Sequence, residues 1–529
     1  MRTTYFDKKS SLLCSAAAAF IGLVFSTTGA SASQVNLLNY TKGDGITDDQ
    51  SGIIRAFAAA GPSGTVIAPA GHTWAHSGVL SAPPGLQIIG GDRSSVFKAT
   101  TSNGALILTG SKSLVANMTI SYANVSLGSS SSNGSYNDSD IVAQSASNIQ
   151  LQNLKLGSAP GNSVSALQSS GSLNNSVLES TAQNALLVVD CTSLTAASNQ
   201  ITTGGCAVNV SNGTKGSQSI VVENNTFNLT GGSSPGVSIS GVNGMWVTNN
   251  LFNNNGSVPY DIWAAPLPAN QNQGYGPISN LYILGNTMSL GSKLLPQASS
   301  VDGVVAQAIG PVTPPNQNPV YYAGILVLPP GMELPSPPSA YLNLVNGLTI
   351  QGNVIANAIT GINASFASNI VIQSNNLLNI QELDTTVPAF GMQFAYCGNL
   401  TIGGPSTAKG KVAASAANIF QNITGSAIQV MQNFSGTYDP SNPVGAVAIQ
   451  GNSFNNCYCL SGNLTRDPDP VWANSVVKVL AGAYPSVNIT NNAYTGPVNK
   501  NLQYFIDCLQ PKAQGSGNTA PYWLPSLFE

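Results

Sequence analysis

Charge is what this sequence most lacks. Lys, Arg, Asp and Glu make up 7% of its 529 residues and the net charge is −3, where an average protein devotes about 25% of its residues to charge. No basic field for nucleic acid is present, and a strongly electrostatic grip on a polyanion is disfavoured. Histidine is almost absent, at two residues, His72 and His76. Cys457-Tyr458-Cys459 has no partner pair at zinc spacing, so no metal centre is expected. After the N-terminal region no apolar run approaches the roughly 20 residues of a spanning helix. What the chain does have is 42% hydrophobic residues, 54 Gly and 31 Pro. That hydrophobic share is ample for a core and excludes general disorder. Solubility falls to Asn, Ser, Thr, Gln and Gly.

The N-terminus reads as an address. Lys8 and Lys9 precede an apolar stretch from Leu12 to Phe25, broken by Cys14 and Ser15, and Ala30-Ser31-Ala32 supplies small residues for cleavage. This order predicts a secretory signal peptide over 1–32 and a mature chain beginning near Ser33, secreted or periplasmic. Six cysteines then remain: Cys191, Cys206, Cys397, Cys457, Cys459 and Cys508. An even count outside the cytoplasm permits disulfides, and Cys191 with Cys206 is a plausible local pair.

The strongest signal is an internal repeat. A hexapeptide of β-branched residue, any, small or polar, Asn, any, large apolar recurs at Val222 to Phe227, Val247 to Phe252, Ile283 to Met288, Ile350 to Ile355, Ile372 to Leu377, Ile449 to Phe454 and Ile489 to Tyr494. Looser copies end on Asn199-Gln-Ile201 and Asn418-Ile-Phe420. The Asn residues are 26 (199 to 225), 25 (225 to 250) and 22 (353 to 375) positions apart. Three short strands and three turns need a little over 20 residues, and the apolar positions alternate as half-buried strands require. Stacked coils bury a core that no single coil could bury. The fold class expected is all-β, a parallel β-helix over 33–510. The recurring Asn fits an inward turn, its amide bonded to the amides one coil above and below. Gly or Asn just before it suits a positive φ. Longer Asn intervals, such as 286 to 353, are expected to hold one or two coils plus loops. Residues 295–340 hold ten prolines and read as an insertion, an extended arm rather than continuous sheet. Residues 511–529 read as a tail.

The first coil predicts its own cap. Asp44-Gly45 makes a turn, Thr47 or Asp48 caps a helix, and Ile53, Ile54, Phe57 and Ala58 form its apolar stripe up to Gly61-Pro62. Such a helix would plug the open end of the coil stack. With Gly43-Asp-Gly-Ile-Thr-Asp-Asp49, Gly64-Thr-Val-Ile-Ala-Pro-Ala-Gly71 and Leu86-Gln-Ile-Ile-Gly-Gly91, this opening resembles that of the pectate-lyase-like β-helix superfamily. The resemblance covers about the first 100 residues, and the Asn repeats extend it loosely to about 496. It implies a right-handed parallel β-helix. It also implies a function among polysaccharide lyases, glycoside hydrolases, uronate epimerases and phage tailspikes. The paired Asp-Asp, Gly-His-Gly and Arg-Ile-Lys of polygalacturonase-like relatives are missing from the repeat region, as is the Asp-Pro-His of alginate epimerases.

Candidate chemistry therefore rests on the few carboxylates. Arg466-Asp-Pro-Asp-Pro-Val-Trp472 offers Asp467 and Asp469 as a catalytic pair with Arg466, and Trp472 as a sugar-stacking face. Hydrolysis needs two carboxyl groups, whereas a lyase needs a base and neutralisation of a uronate. Tyr260, Asp261 and Trp263 make an aromatic-acid loop suited to binding sugar. Asp138 with Asp140, and Glu382 with Asp384, are further pairs that read more simply as solvated turns. His72 and His76 read as surface residues near the cap. No cofactor is expected; calcium on the Asp-Pro-Asp oxygens is the one candidate. The expected partner is a polysaccharide, neutral or weakly acidic, which the protein cleaves or, alternatively, binds as a non-catalytic surface or matrix protein. If the loops near 260, 384 and 467 converge on one cleft, the enzyme reading gains; if their carboxylates lie on different faces, it loses.

Overall fold

The computed structural model describes residues 33–528, except 124–135, 158, 181–182, 231–233, 255–257, 269–274, 291–322, 330–342, 382–388, 405–415, 433–443, 458–474, 481, 498–501, 511–512 and 522–523. Its contacts divide the chain into two units, 1–201 and 202–529.

In the first unit, strands recur in threes and pair in parallel with the third strand onward. One face runs Gln34–Asn36, Thr65–Ala68, Gln87–Gly90, Leu114–Ala116, Ile149–Gln152, Gly171–Asn174 and Leu194–Ala197. The start is closed by the helix α1, Gln50–Ala60. Its cap differs from the expectation. Asp49 is the N-cap, and its carboxylate accepts from the Lys42 and Gly43 amides at 2.8 and 3.0 Å. Asp48 supports the first turn by accepting from the Gln50 amide at 3.1 Å. The buried stripe is Ile53, Ala56, Phe57 and Ala60, while Ile54 stays 45% exposed. The i, i+3, i+4, i+7 spacing selects this stripe over one holding both Ile53 and Ile54.

The second unit repeats the same three-face coil. Its first face runs Ser217–Glu223, Val242–Thr248, Ile278–Leu284, Val345–Gln351, Ala367–Gln373, Gly398–Gly403, Val447–Gln450, Val487–Thr490 and Ala513–Ser516. The second face begins at Thr226–Leu229 and ends at Ala493–Thr495. The third runs from Val208–Ser211 to Ser526–Phe528. All the paired strands run parallel. Parallel crossovers of this kind take the right hand. The fold is a right-handed parallel β-helix. The coil continues beyond 510, because Ala513–Ser516 pairs with Val487–Thr490 and Ser526–Phe528 pairs with Tyr504–Cys508.

Except between Gly403 and Ile419, where 404–418 intervene, the chain turns between the first and second faces in two residues, such as Asn224-Asn225 and Gly285-Asn286. The first is left-handed, with φ 55° at Asn224 and 64° at Gly285. The second is the repeating Asn, and its amide does what the repeat predicted. Asn225, Asn250, Asn286, Asn353, Asn375, Asn418, Asn452, Asn492 and Asn518 form one unbroken ladder, each Nδ2 donating to the next Oδ1 at 2.9–3.1 Å. Each rung also serves backbone: Asn250 Nδ2 donates to the Val222 carbonyl at 2.9 Å. The turn's polar groups are thus satisfied away from water. Beside the ladder, the Phe227 ring packs tilted against Phe252 at 4.8 Å, and Phe420 stacks on Phe454 at 4.9 Å. All four rings are fully buried, and each contributes about 2 kcal/mol of hydrophobic stabilisation.

Each long Asn interval in this unit spans a single coil, its ends being adjacent rungs. Asn286 and Asn353 are adjacent rungs. The proline-rich interval is not one continuous arm either, because Ala323–Val327 is a fully buried strand paired on both sides.

Candidate functional site

Charge in the second unit is not spread evenly. Among the described strands its first face carries one charged residue, Glu223, and its second face none. The third face carries Asp261, Lys478 and Asp507. Connections also single this face out. Chain enters it after long intervals at 290–322 and 458–474, and leaves it through 328–344 and 432–446.

The strands Thr360–Ser365, Phe390–Ala395, Ser426–Met431, Ser475–Val479 and Tyr504–Cys508 lie side by side there. Ile362, Met392, Ile428, Val477 and Ile506 form one apolar register column. The next column, on the opposite side of the sheet by alternation, is polar throughout: Asn363, Gln393, Gln429, Lys478, Asp507. All five are buried. Asn363 Nδ2 donates to Gln393 Oε1 at 3.4 Å, and Gln393 Nε2 to Gln429 Oε1 at 2.7 Å. Lys478 Nζ lies 3.3 Å from Asp507 Oδ2. Two buried atoms in this row have no partner, Gln429 Nε2 and Asp507 Oδ1. They are a donor and an acceptor on either side of the Lys478 strand.

The coil phase that the insertions hide in the sequence is now fixed. Tyr260 opens a third-face strand, Tyr260–Ala264. Glu382 and Asp384 lie in the connection into Phe390–Ala395, and Arg466 to Trp472 in the connection into Ser475–Val479. In chain order, each of these three regions opens or precedes a third-face strand. Arg466, Asp467, Asp469, Trp472, Glu382 and Asp384 lie outside the described residues, as do the oxygens proposed for calcium. No group of three or more His, Cys, Asp or Glu able to hold a metal occurs among the described residues.

Trp263 stands in the outward column, in register with Leu326 and through it with Asn363. Its Nε1 donates to the Leu328 carbonyl at 3.1 Å, and its ring lies 6.1 Å from Tyr260 and 6.5 Å from Tyr275. Asp261 behaves differently. It occupies the position between Gly236 and Gly324, where an added Cβ would meet Phe252 or Ile355 of the core. It is wholly buried, Asn254 Nδ2 donates to its Oδ1 at 3.1 Å, and Oδ2 has no partner. Burial pushes its pKa up to about 8, against the hydrogen bond from Asn254. This carboxyl serves the interior and does not reach the face that Trp263 borders.

In the first unit, Asp140 is fully buried with both carboxylate oxygens unpartnered, and burial raises its pKa well above the ordinary range. Asp138 is raised by burial as well. Neither is the solvated turn residue expected. His76 is likewise buried, at 1% exposure, with Nδ1 2.9 Å from the Gly78 carbonyl and its pKa lowered by burial. The surface reading holds only for His72, which is half-buried beside Trp74. No disulfide joins Cys191 to Cys206. Cys191 Sγ donates to the Ala166 carbonyl at 3.2 Å, and Cys206, a free thiol, to the Val208 carbonyl at 3.1 Å.

No family model and no curated protein matches the sequence. Solved structures do. The chain is similar to ORF18 of Geobacillus virus E2, at 10% identity and TM-score 0.34, over 69% of this chain and 58% of that one. It is similar to the Streptococcus pneumoniae surface protein and adhesin PfbA, at 9% identity and TM-score 0.41, over 92% and 99%. It is similar to an exopolygalacturonase from Thermotoga maritima, at 12% identity and TM-score 0.42, over 65% and 86%. The chain is a parallel β-helix. Its own strand register establishes that, and no activity passes from these proteins to it. Among the described residues no helix is long and apolar enough to cross a membrane.

Proposed function

We propose that this chain is a secreted, polysaccharide-active β-helix protein that holds a glycan along the third face of its second unit and hydrolyses it there. The observation that carries the reading is the polar column Asn363-Gln393-Gln429-Lys478-Asp507, set beside the apolar column Ile362-Met392-Ile428-Val477-Ile506, with a donor and an acceptor left unpartnered. The column is closed to solvent; once uncovered, Asp507 Oδ1 suits the proton of a sugar hydroxyl or of an attacking water. Gln429 Nε2 suits a glycan oxygen, and Lys478 fixes the carboxylate through its other oxygen. Burial strengthens these interactions by removing water. Hydrolysis requires a second carboxyl. Asp467 or Asp469 would supply it from the connection leading into the Lys478 strand, with Arg466 beside them and Trp472 stacking on a sugar. A lyase acting on uronates fits less well. Lys478 is the one cation among the described third-face strands of this unit, and Asp507 already engages it.

A non-catalytic glycan-binding role is the second reading. It is favoured by the presence of a single carboxylate, Asp507, in the polar column. The test is a polysaccharide panel with the mature protein, Asp507→Asn, and Asp467→Asn/Asp469→Asn. New reducing ends without ultraviolet absorbance, lost in both variants, is the expected result. Absorbance of an unsaturated uronate would make it a lyase. Full activity in Asp507→Asn would remove the polar column from the mechanism. Retention of a polymer without any product would establish the binding role.

A further inference from the structure

On the first face of the second unit, Trp246 and Tyr282 are register partners. Their rings stack at 5.3 Å between centroids and 8° between planes, and both are half-buried. A pair this close to parallel takes up one face of each ring. The next outward residue beyond Tyr282 is Thr349, and the one before Trp246 is Val221. Both are too small to cover an aromatic face. Gly244 makes room for the indole: its φ is 75°, and a Cβ there would come within 3.3 Å of the Trp246 ring.

Polar groups line one side of the pair. Asn243 Oδ1 accepts from Ser279 Oγ at 2.9 Å and from Asn280 Nδ2 at 3.0 Å, and Asn243 and Asn280 are exposed. Farther along, Asn369 Nδ2 donates to Asn346 Oδ1 at 2.8 Å and Asn399 Nδ2 to Asn369 Oδ1 at 3.0 Å. Thr248 and Leu284 lie on the other side of the aromatic pair, and Glu223, beside Thr248, is the one charged residue of the described strands of this face. An aromatic step edged by ordered amides, with one carboxylate nearby and no cation on the described strands of the face, matches a ring that offers an apolar face and hydroxyl edges. The described strands of this face offer a polyanion no cation.

We propose that Trp246 and Tyr282 form a second glycan-binding strip, on a different face from the polar column, which holds a neutral polysaccharide without cleaving it. It does not depend on the catalytic reading. The experiment is co-sedimentation of the full mature chain with insoluble β-1,4-, β-1,3- and α-1,3-glucans, with polygalacturonate beads as an anionic control. Trp246→Val/Tyr282→Val keeps a strand-forming residue at each outward position. The expected result is binding to at least one neutral glucan, weakened at least about tenfold in the double variant, as loss of a central aromatic anchor predicts. Trp246→Tyr should recover most of it, and unaltered melting temperatures exclude misfolding. Undiminished binding by the double variant, or no binding of any neutral glucan by the wild type, would overturn the proposal. So would a light-scattering mass that falls from dimer to monomer in the variant, which would make the strip an interface between copies.

Discussion

Lys478 Nζ stands 3.3 Å from Asp507 Oδ2, on adjoining strands, with the two side chains only 1% and 8% exposed. A buried ion pair of this kind is costly to break and cheap to replace. Lys478→Met leaves a buried carboxylate without its cation, and stability should fall by about 3–5 kcal/mol. Lys478→Met/Asp507→Leu removes both charges and should recover most of that loss. Urea unfolding of the three proteins checks this. Equal losses in the single and double variants would mean that packing, not charge, sets the cost.

The asparagine ladder makes a second prediction. Asn353 receives from Asn286 and donates to Asn375, and its Nδ2 also lies 2.8 Å from the Ile283 carbonyl. Asn353→Ala strands these groups and should cost about 1–3 kcal/mol. Asn353→Asp keeps the shape but brings a charge and loses the donors, so it should be worse than alanine. Thermal melts at neutral pH give the order. If aspartate proved the milder change, the ladder's donors would not be what the site needs.

The ladder was legible because the sequence repeats one residue at one turn, with Gly or Asn before it. The polar column was harder to see. Its members stand in strands of unlike sequence, FGMQFA, SAIQVM, SVVKV and YFIDC, separated by connections of different length that hide their phase. A signal was nonetheless there: one polar residue in the middle of an apolar run, in four successive coils. Asp261 shows the opposite limit. Its aromatic neighbours suggest a surface loop, but whether the strand turns it inward is decided by the coil corner that also places Gly236 and Gly324. Sequence alternation alone does not reveal that corner. His76, Asp138 and Asp140 follow the same rule, since composition says nothing about which polar side chains a coil encloses.

Asp261 carries a pH prediction. Its pKa is pushed up to about 8 in the folded chain, against about 3.9 when unfolded. The folded state therefore holds the proton more tightly. The stability this contributes is complete below about pH 4 and is lost as pH rises toward 8. Asp261→Asn has no proton to lose. The difference in unfolding free energy between wild type and Asp261→Asn should favour the wild type more at pH 5 than at pH 8. Asp138 and Asp140 add slope of the same sign to both proteins and cancel in the difference. A difference that stays flat across this range would mean that Asp261 ionises normally.

The last prediction concerns length. Trp263 and Lys478 occupy the same outward column, with the strands at 323, 360, 390 and 426 between them. Five strand spacings separate them, about 24 Å. A glycan lying along the third face would touch both only if it is several sugars long. Trp263→Ala should therefore raise KM for a polymer while leaving a trisaccharide nearly unaffected, because a short chain seated at Lys478 does not reach the indole. Asp507→Asn should lower kcat for both. Steady-state kinetics on a ladder of oligosaccharides separates the two effects. A Trp263→Ala defect of the same size on trisaccharide and polymer would place the indole's role elsewhere, and would mean that the glycan does not run along this face.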